Sequence, residues 1–414
     1  MSSSQIYLVG GAIRDRLLGL PVADKDWVVV GSSPQEMVDK GYVPVGKDFP
    51  VFIDRDNGEE YALARTERKT AKGYQGFVFN ASPEVTLEQD LERRDLTINA
   101  MAEDQHGTLI DLHNGQADLA AGIIRHVSEA FAEDPVRVLR AARFAARFNF
   151  TIAPETMSLM SDMVNSGEVD ALVAERVWVE MRKALDTDAP HVFFQTLHDC
   201  GALARILPEV DNLFGIPQTA KYHPEIDTGI HMMMVMEQVA LITDDSEVRF
   251  SALMHDLGKA ITPADILPSH RGHELAGLPL INQVCERLRV PKKFQSLALA
   301  VGEYHLHMHK MFELKPNTVL RMLESTRCTT DAHRAKQFAD SCLADVRGRT
   351  GFEDREYPQA ELFLKYQQAA AQVDGGQIAA GLDDGKAIQQ AIRQARIAAI
   401  KQVKDQTDPS RADD

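Results

Sequence analysis

The sequence predicts an α+β amino-terminal head followed by an all-α remainder. Up to about residue 125, short apolar β-like runs alternate with helical segments, which is typical of a small mixed sheet. Beyond residue 127 the apolar residues follow the helical period. A chain of 414 residues is long enough for about two to four compact units. We expect a head at 1–126, a helical neck and body at 127–222, a further helical domain at 228–350 and a helical tail at 351–414.

The first element is a glycine turn between an apolar run and a helical segment. Gly10 and Gly11 follow residues 6–9 and precede residues 12–17. Backbone N–H groups at such a turn, next to a helix N-terminus, can hold phosphate groups. A glycine pair after a strand is more often a plain turn, so both interpretations stay open for this element alone.

Two aspartates lead into an apolar run that reads as a buried strand. Asp24 and Asp26 lie directly before the apolar residues 27–30, Trp-Val-Val-Val. Residues two apart on a strand share a face, and adjacent carboxylates are unfavourable unless a cation lies between them. Oxygen ligands suit Mg²⁺, which shares its coordination with substrate phosphates and water. We expect Lys25 to point away from this face. The alternative to a metal site is that the two aspartates lie at a solvated strand end.

Acids and arginines are combined at the start of a strongly helical segment. Asp134 and Arg137 are three residues apart on one helix face, which Arg140 and Arg143 continue. Cytosine and adenine present an amino donor beside an acceptor nitrogen, whereas uracil and guanine present an acceptor beside a donor. A carboxylate next to a guanidinium therefore pairs with C and A, and a wrong base leaves unpaired groups at a cost of about 1–3 kcal/mol. The alternative is an exposed basic face with capping acids.

These motifs, together with residues 93–100 (Arg-Arg-Asp-Leu-Thr-Ile-Asn-Ala), resemble the class II nucleotidyltransferases of the polymerase-β superfamily. That branch holds the bacterial tRNA CCA-adding enzymes and poly(A) polymerases, and the resemblance extends to about residue 220. It implies a polymerase-β-like head in which a terminal ribose hydroxyl of RNA attacks the α-phosphorus of CTP or ATP and pyrophosphate leaves.

The resemblance also implies roles for individual residues of the head. Asp24 and Asp26 would hold Mg²⁺. A third carboxylate is usual in the superfamily, and Glu60 is the candidate beside its neighbour Glu59. The residues implied to bind the nucleotide are Gly11, Arg14, Arg94, Asp134, Arg137, Arg140 and Arg143.

A second group of histidines and aspartates lies downstream of the arginine-rich helix. A lone histidine on an apolar helix is usually a packed core residue, but here the order is His, His-Asp, His, His, Asp. This order resembles the HD superfamily of metal-dependent phosphohydrolases over residues 228–350. The residues are His231, His255, Asp256, His273, His305 and Asp345.

By this resemblance the first histidine, the His-Asp pair and the last aspartate would be the central metal ligands. His273 and His305 would complete a second metal site or bind phosphate. Imidazole and carboxylate ligands favour a transition ion such as Ni²⁺, Mn²⁺ or Co²⁺ over Mg²⁺, and the ion would generate hydroxide from bound water. His307 and His309 fit no position of the superfamily, and we expect them to be surface histidines.

The two segments together resemble one subgroup, the multifunctional CCA proteins of Gram-negative bacteria. In these, terminal addition is fused to phosphatase, 2′-nucleotidase and 2′,3′-cyclic phosphodiesterase activity. Hydrolysis would restore the attacking hydroxyl on a tRNA that ends in a phosphate. Two alternatives remain: a poly(A) polymerase, which would use ATP alone, and an HD hydrolase whose head binds nucleotide without transferring it.

The composition restricts the partners. A net charge of −16 predicts salt-sensitive RNA capture through local basic surfaces only. Four cysteines without metal-ligand spacing fit a reducing compartment, and no run approaches the roughly 18 apolar residues of a membrane span. We expect a cytoplasmic enzyme, a monomer or homodimer, that binds tRNA, CTP and ATP. The candidate basic surfaces are Arg65, Arg68, Lys69 and Lys72, then residues 137–147, then Arg287, Arg289, Lys292 and Lys293.

Overall fold

A computed structural model describes residues 4–22, 24–45, 51–69 and 77–407. The chain forms two compact units. The first comprises Met1–Met181 and Val192–Ile206, and the second comprises Arg182–His191 and Leu207–Asp414.

The first unit contains all the β-strands of the described residues. The strands are β1 (Gln5–Val9), β2 (Asp26–Val30), β3 (Val43–Pro44), β4 (Val51–Ile53), β5 (Glu60–Leu63), β6 (Thr66–Lys69), β7 (Phe77–Asn80), β8 (Ala102–Glu103), β9 (Leu109–Ile110), β10 (Ile123–Ile124) and β11 (Thr151–Ile152). Seven of them form a mixed sheet in the order β3-β4-β5-β2-β1-β8-β9, while β6 pairs with β7 and β10 with β11.

Strand β2 lies at the centre of the mixed sheet. It pairs with β1 in the antiparallel and with β5 in the parallel direction. Its valines alternate between two apolar clusters: Val28 packs with Leu91 and Ala102, whereas Val29 packs with Met37. Because side chains alternate along a strand, Asp26 lies on the face of Val28.

The prediction that Asp24 and Asp26 share one strand is wrong in detail, because the strand begins at Asp26. Asp26 is opposite Val9, the last residue of β1, and opposite Glu60, the first residue of β5. Strand β1 therefore ends and β5 begins at this level, and among the described residues the ladder is not extended to Asp24.

Nine helices lie wholly or partly in the described part of this unit. They are α1 (Gly11–Leu17), α2 (Pro34–Asp39), α3 (Leu87–Glu92), α4 (Gly115–Ala121), α5 (Val136–Phe148), α6 (Pro154–Asn165), α7 (Ala174–Leu185), α8 (Pro190–Asp199) and α9 (Ala202–Ile206). Helices α2 and α3 pack on opposite faces of the mixed sheet. Helices α7 and α8 run on into the second unit.

In its described part, the second unit consists of helices and turns. They are α10 (Pro208–Asp211), α11 (Thr228–Ile242), α12 (Ser246–Met254), α13 (His273–Arg287), α14 (Lys292–His309), α15 (Pro316–Ser325), α16 (Ala332–Arg347), α17 (Pro358–Ala371), α18 (Gly375–Ala379) and α19 (Gly385–Thr407). Helix α12 packs on α11, α14 and α16. Short 3₁₀ turns span Thr97–Asn99, Glu129–Glu133, Val169–Ala171, Leu257–Ile261 and Met311–Glu313.

The predicted fold class, an α+β head followed by helical segments, is confirmed. The sequence also predicts that residues 405–414 lack structure, and here α19 continues to Thr407, while residues 408–414 lie outside the described residues. None of the described helices combines the length and the apolar character needed to cross a bilayer.

Candidate functional site

The glycine turn at the start of α1 lies against two arginines. Gly10 adopts a φ of 72°, in the left-handed region that favours glycine. A Cβ atom on Gly10 would lie 3.2 Å from Arg94 Nη1, and one on Gly11 would lie 3.3 Å from Arg14 Nη2. Side chains at the turn would therefore crowd both guanidinium groups.

Arg14 is held rigidly under this turn. It is only 3% exposed, and its Nε donates a hydrogen bond to Asp15 Oδ1 at 2.8 Å. Its Nη1 donates to Asn99 Oδ1, and its guanidinium lies 4.8 Å from the centre of the Phe144 ring. Burial lowers the pKa of Arg14 although the charge of Asp15 opposes this shift.

Arg94 has an unused donor. Its Nη2 donates to Asp90 Oδ2 at 3.1 Å, but its buried Nε has no hydrogen-bond partner in the described part of the chain. Burial would raise the pKa of Asp90, and the charges of Arg94 and Arg93 lower it instead. A buried donor without a partner is costly, so the site is suited to an acceptor from outside the protein.

Asp26 provides a carboxylate on the side of Arg94. Partial withdrawal from water raises the pKa of Asp26, the charge of Arg94 opposes this, and the charge of Asp24 adds to it. The effect of the Asp24 charge on Asp26 indicates that the two carboxylates lie near each other. A carboxylate pair of this kind fits Mg²⁺, which accepts one or two carboxylates together with phosphate oxygens.

Glu60 is opposite Asp26 in the parallel ladder, so it lies on the same sheet face. The ligand atoms of Asp24, Asp26 and Glu60 do not, however, form a group of three within 4.8 Å of one another. Lys25 forms an ion pair with Glu59 at 3.4 Å between Nζ and Oε1.

Asp134 and Arg137 lie at the start of α5. Asp134 Oδ1 accepts the N–H of Val136 at 3.0 Å, and its Oδ2 pairs with Arg176 Nη2 at 3.2 Å. Arg137 donates to two backbone carbonyl oxygens, those of Ala130 at 2.9 Å and Arg93 at 2.7 Å. The two side chains therefore have fixed orientations, and Arg176 is a contact that the sequence analysis missed.

The next two arginines of α5 are each matched with a buried acid. Arg140 Nε donates to Asp95 Oδ2 at 2.7 Å, and Arg143 Nε donates to Glu180 Oε2 at 2.5 Å. Burial would raise the pKa of Asp95, but Arg140 and Asn99 lower it to about 2. This ion pair ties α5 to the segment that carries Arg94.

The six metal-ligand candidates of the second unit come together from five elements. His231 lies on α11, while His255 and Asp256 directly follow α12. His273 opens α13, His305 lies in α14 and Asp345 in α16. Gly258 permits this arrangement, because a Cβ atom there would lie 2.0 Å from the carbonyl oxygen of His273. All six are buried.

The histidines share one hydrogen-bonding pattern. Each Nδ1 is satisfied by a backbone carbonyl: that of Gly348 for His231 at 2.9 Å and that of Ala252 for His255 at 2.7 Å. His273 uses the His270 carbonyl at 2.7 Å, and His305 uses those of Val301 and Gly302 at 3.1 Å. The Nδ1–H group of each ring therefore donates, and each Nε2 is directed at the carboxylates. This is the arrangement of metal-bound histidines.

The ligand atoms form two groups joined by Asp256. The first group is His231, His255 and Asp345, and the second is Asp256, His273 and His305, each within 4.8 Å. Asp256 Oδ2 lies 3.2 Å from His255 Nε2, and its Oδ1 lies 3.1 Å from His273 Nε2. His255 Nε2 and Asp256 Oδ1 are buried and have no properly oriented hydrogen bond among the described residues. These donor atoms fit one or two transition-metal ions.

Cationic side chains surround the acids of this cluster. Lys259 Nζ lies 2.7 Å from Asp256 Oδ2, and Arg349 Nη2 lies 3.1 Å from Asp345 Oδ1. Burial would raise the pKa of Asp256, whereas His255 and Lys259 hold it well below its usual range. The cluster opens into a pocket of about 480 Å³ whose further polar lining includes His270, Arg271 and Lys310.

The prediction that His309 is a surface histidine is wrong. It is half-buried, its Nε2 lies 2.7 Å from Asp345 Oδ2, and its Nδ1 lies 2.7 Å from the Tyr357 hydroxyl. Helical spacing explains this, because His309 follows His305 by one turn on the same face. His307 is half-buried as well, and burial lowers its pKa.

Sequence reasoning also missed His223 and Glu225. Glu225 Oε1 lies 3.0 Å from His223 Nδ1 and 3.0 Å from His231 Nδ1. Burial lowers the pKa of His223 to about 4. The loop before α11 thus buttresses the first histidine of the cluster, which no spacing in the sequence indicates.

Some proposed basic residues cannot be placed. Lys72 lies outside the described residues, and the same holds for the side chains of Arg68 and Lys69. Arg287 forms an ion pair with Glu209 at 2.6 Å.

Comparisons with known proteins agree with the two sites. The profile of the Poly A polymerase head domain matches residues 6–125, that of the probable RNA and SrmB-binding site of polymerase A matches 149–214, and that of the HD domain matches 228–345. The fold is also that of solved CCA-adding enzymes. One, from Bacillus stearothermophilus in complex with CTP, has 22% identity and a TM-score of 0.65 over 97% of this chain and 89% of that one. A second, from Thermotoga maritima and complexed with tRNA, has 20% identity and a TM-score of 0.62 over 98% and 92%.

The fold and the two sites define a nucleotidyltransferase with a fused HD domain. A "Multifunctional CCA protein" of Chromobacterium violaceum is 58% identical over 97% of this chain and 99% of its own length. One of Nitrosococcus oceani is 56% identical over 96% and 98%. The chain belongs to the family of multifunctional CCA proteins.

Proposed function

We propose that this enzyme adds and repairs the 3′-terminal CCA of tRNA without a nucleic-acid template, using CTP and ATP and releasing pyrophosphate. The convergence of the glycine turn, the unused Nε of Arg94 and the raised pKa of Asp26 supports this proposal. The glycine turn can bind phosphate groups, the Nε of Arg94 can donate to a further acceptor, and the Asp26 carboxylate can bind a cation.

In the proposed reaction, Asp24 and Asp26 hold Mg²⁺. The bound ions would lower the pKa of the attacking ribose hydroxyl and neutralise charge on the leaving oxygen. Arg94 binds the triphosphate through its free Nε, and Gly11 offers its backbone to the same phosphates. Arg14, fixed by its burial, keeps the turn in position.

Asp134 and Arg137 select the base in this proposal, and Arg140 and Arg143 hold the triphosphate in line. Asp134 accepts the amino proton of C or A, while Arg137 donates to the neighbouring ring nitrogen. Their orientation is set by Arg176 and by two backbone carbonyls. Preorganised contacts of this kind cost little to form when the nucleotide binds.

We further propose that the HD domain hydrolyses phosphate esters at the 3′ end of RNA: phosphomonoesters, 2′-nucleotides and 2′,3′-cyclic phosphodiesters. The four histidine Nε2 atoms directed at Asp256 and Asp345 support this. His231, His255, Asp256 and Asp345 would hold Ni²⁺, Mn²⁺ or Co²⁺, and His273 and His305 would complete a second position. A bound ion of this type supplies hydroxide from water.

Lys259 and Arg349 extend the cationic character of the pocket and would bind the phosphoryl oxygens. Both already contact a ligand carboxylate, so they also keep Asp256 and Asp345 ionised. Hydrolysis leaves a free terminal hydroxyl, which is the group that the head requires. The two activities would therefore act in sequence on damaged tRNA.

The same proposal assigns a head to 1–126, a neck and body that bind tRNA to 127–222, the HD domain to 228–350 and a tail to 351–414. A cytoplasmic location accords with four buried free cysteines. The proposed assembly is a monomer or a homodimer.

Two single variants, each assayed for both activities, test the proposal. Asp26→Asn is expected to abolish CTP incorporation into tRNA lacking its CCA end and to leave hydrolysis of 2′,3′-cyclic AMP unchanged. Asp256→Asn is expected to abolish hydrolysis of 2′,3′-cyclic AMP and to leave CTP incorporation unchanged. Loss of both activities in either variant, with the fold intact by circular dichroism, would contradict two independent sites.

A further inference from the structure

A second pocket of the HD-containing unit lies away from the metal cluster. It has a volume of about 430 Å³ and is formed by the starts of α12, α14 and α16 and by the turn after α15. Its charged lining consists of Glu247, Lys292, Lys293, Arg327, Asp331, His333 and Arg334.

The cations of this pocket outnumber their partners. Glu247 pairs with Lys293 at 2.7 Å, and Asp331 accepts the backbone N–H of Arg334 at 2.9 Å as the cap of α16. In the part of the chain that the structure describes, Lys292 and Arg327 have no carboxylate within ion-pair distance.

Arg334 forms the buried side of the pocket. It is 9% exposed, its Nη2 donates to Ser296 Oγ at 3.0 Å, and its Nε donates to the Thr326 carbonyl at 3.4 Å. Its Nη1 makes no hydrogen bond to any described residue. A mostly buried guanidinium whose remaining donor faces the pocket is suited to an anionic oxygen.

Backbone features favour an anion at the same place. Helices α14 and α16 both begin here, and α14 has no side-chain cap on its first N–H groups. Helix N-termini attract negative charge. Arg327 has a φ of 61°, which is strained for a residue other than glycine, and such strain tends to accompany binding sites.

The pocket is far from the chemistry. Along α16, 11 residues separate Arg334 from Asp345, and along α14, 13 residues separate Lys292 from His305. At about 1.5 Å per residue these separations are roughly 17 Å and 20 Å. A small phosphate ester at the metal cluster cannot reach the pocket, whereas a polynucleotide can.

We propose that this pocket binds the phosphodiester backbone of tRNA while the 3′ end of the same molecule occupies the HD metal cluster. The inference rests on the proposed function of the HD domain. It explains how a chain with a net charge of −16 captures a polyanion, since a local basic surface is sufficient. Singly charged phosphodiesters match the moderate excess of cations in the pocket.

The test compares Lys292→Gln/Arg327→Gln with a control, Lys315→Gln/Lys365→Gln, in the full-length enzyme. All four side chains are exposed, and both double variants change the net charge equally. The pocket variant is expected to bind tRNA about tenfold more weakly in 0.1 M salt, and the slope of log affinity against log salt should fall by about 2. The control should bind as the wild type does.

Hydrolysis supplies the second readout. In the pocket variant, KM for tRNA ending in a 2′,3′-cyclic phosphate should rise about tenfold, while kcat/KM for 2′,3′-cyclic AMP stays unchanged. Equal loss on both substrates, unchanged tRNA binding, or equal loss in the control would each overturn the inference. If the wild type hydrolyses 2′,3′-cyclic AMP but binds no tRNA, the proposed function itself fails.

Discussion

The Nε2 atoms of His273 and His305 face each other at 3.2 Å. Both rings donate from Nδ1 to backbone carbonyls, so two lone pairs point at each other and at Asp256 Oδ1. Burial places the pKa of His305 well below its usual range, so this ring stays neutral. A cation between the rings would resolve the conflict, and we expect it to provide a second metal position in the HD cluster.

Metal content tests this second position. The wild type should retain two Ni²⁺ ions per chain when dialysed against excess Mg²⁺, and His273→Ala should retain one, as measured by atomic emission. His307→Ala, which alters a neighbouring half-buried histidine outside the cluster, should retain two. One ion in the wild type would contradict the two-metal arrangement.

His309 is expected to position Asp345. Loss of the contact to Oδ2 frees the carboxylate to rotate, and partners that orient a metal ligand are typically worth about 10–100-fold in activity. His309→Ala should therefore lower kcat for 2′,3′-cyclic AMP by about this factor. Tyr357→Phe, which removes only the hydroxyl next to His309 Nδ1, should have a smaller effect. A kcat equal to that of the wild type in His309→Ala would contradict the proposal that His309 positions Asp345.

Nucleotide selection should depend on Asp134 and on Arg176. Asp134→Ala removes the acceptor for the amino group of C and A, and an unpaired group of this kind is worth about 1–3 kcal/mol. The ratio of kcat/KM for CTP to that for UTP should fall about 10–100-fold. Arg176→Ala, which releases Asp134, should lower the ratio less.

Arg182→Ala serves as the control, since Arg182 lies on the same helix and pairs with the exposed Asp186. It should leave the CTP-to-UTP ratio unchanged. An unchanged ratio in Asp134→Ala would mean that the base is selected elsewhere.

The Asp95–Arg140 pair predicts acid sensitivity of the first unit. The pKa of Asp95 falls from 3.8 to about 2 on folding, so its stabilising effect is complete above pH 4. It is lost as the pH falls through 2, and it amounts to about 2 kcal/mol. In Asp95→Asn, the difference in free energy of unfolding between pH 5 and pH 2 should be smaller by this amount.

Tryptophan fluorescence can follow that transition. The chain has two tryptophans, and Trp27 and Trp178 both lie in the first unit. Urea unfolding at each pH therefore reports on the unit that contains the pair. An equal pH dependence in wild type and Asp95→Asn would contradict the assignment.

Local patterns in the sequence predicted the order of elements and most of the residues that the structure brings together. The glycine turn, strand β2 and helix α5 are each specified by neighbours in sequence. Asp24 shows the limit, because the start of β2 is set by where β1 ends and β5 begins. Such pairing between distant segments cannot be read from spacing.

The HD cluster shows the same division. His309 could have been found from the sequence, since it follows His305 by four residues in a helical run. Glu225 and Arg176 could not, because each reaches its partner through a loop or a helix packing that depends on the whole fold.

The central claim is template-independent addition of C and A to tRNA. It is tested most directly by supplying labelled CTP, ATP, UTP and GTP, singly and together, to a tRNA trimmed of its 3′ CCA. We predict two C residues followed by one A, and no product from UTP or GTP. A homopolymer made from ATP alone would indicate a poly(A) polymerase, and no incorporation at all would leave the HD domain as the only working centre.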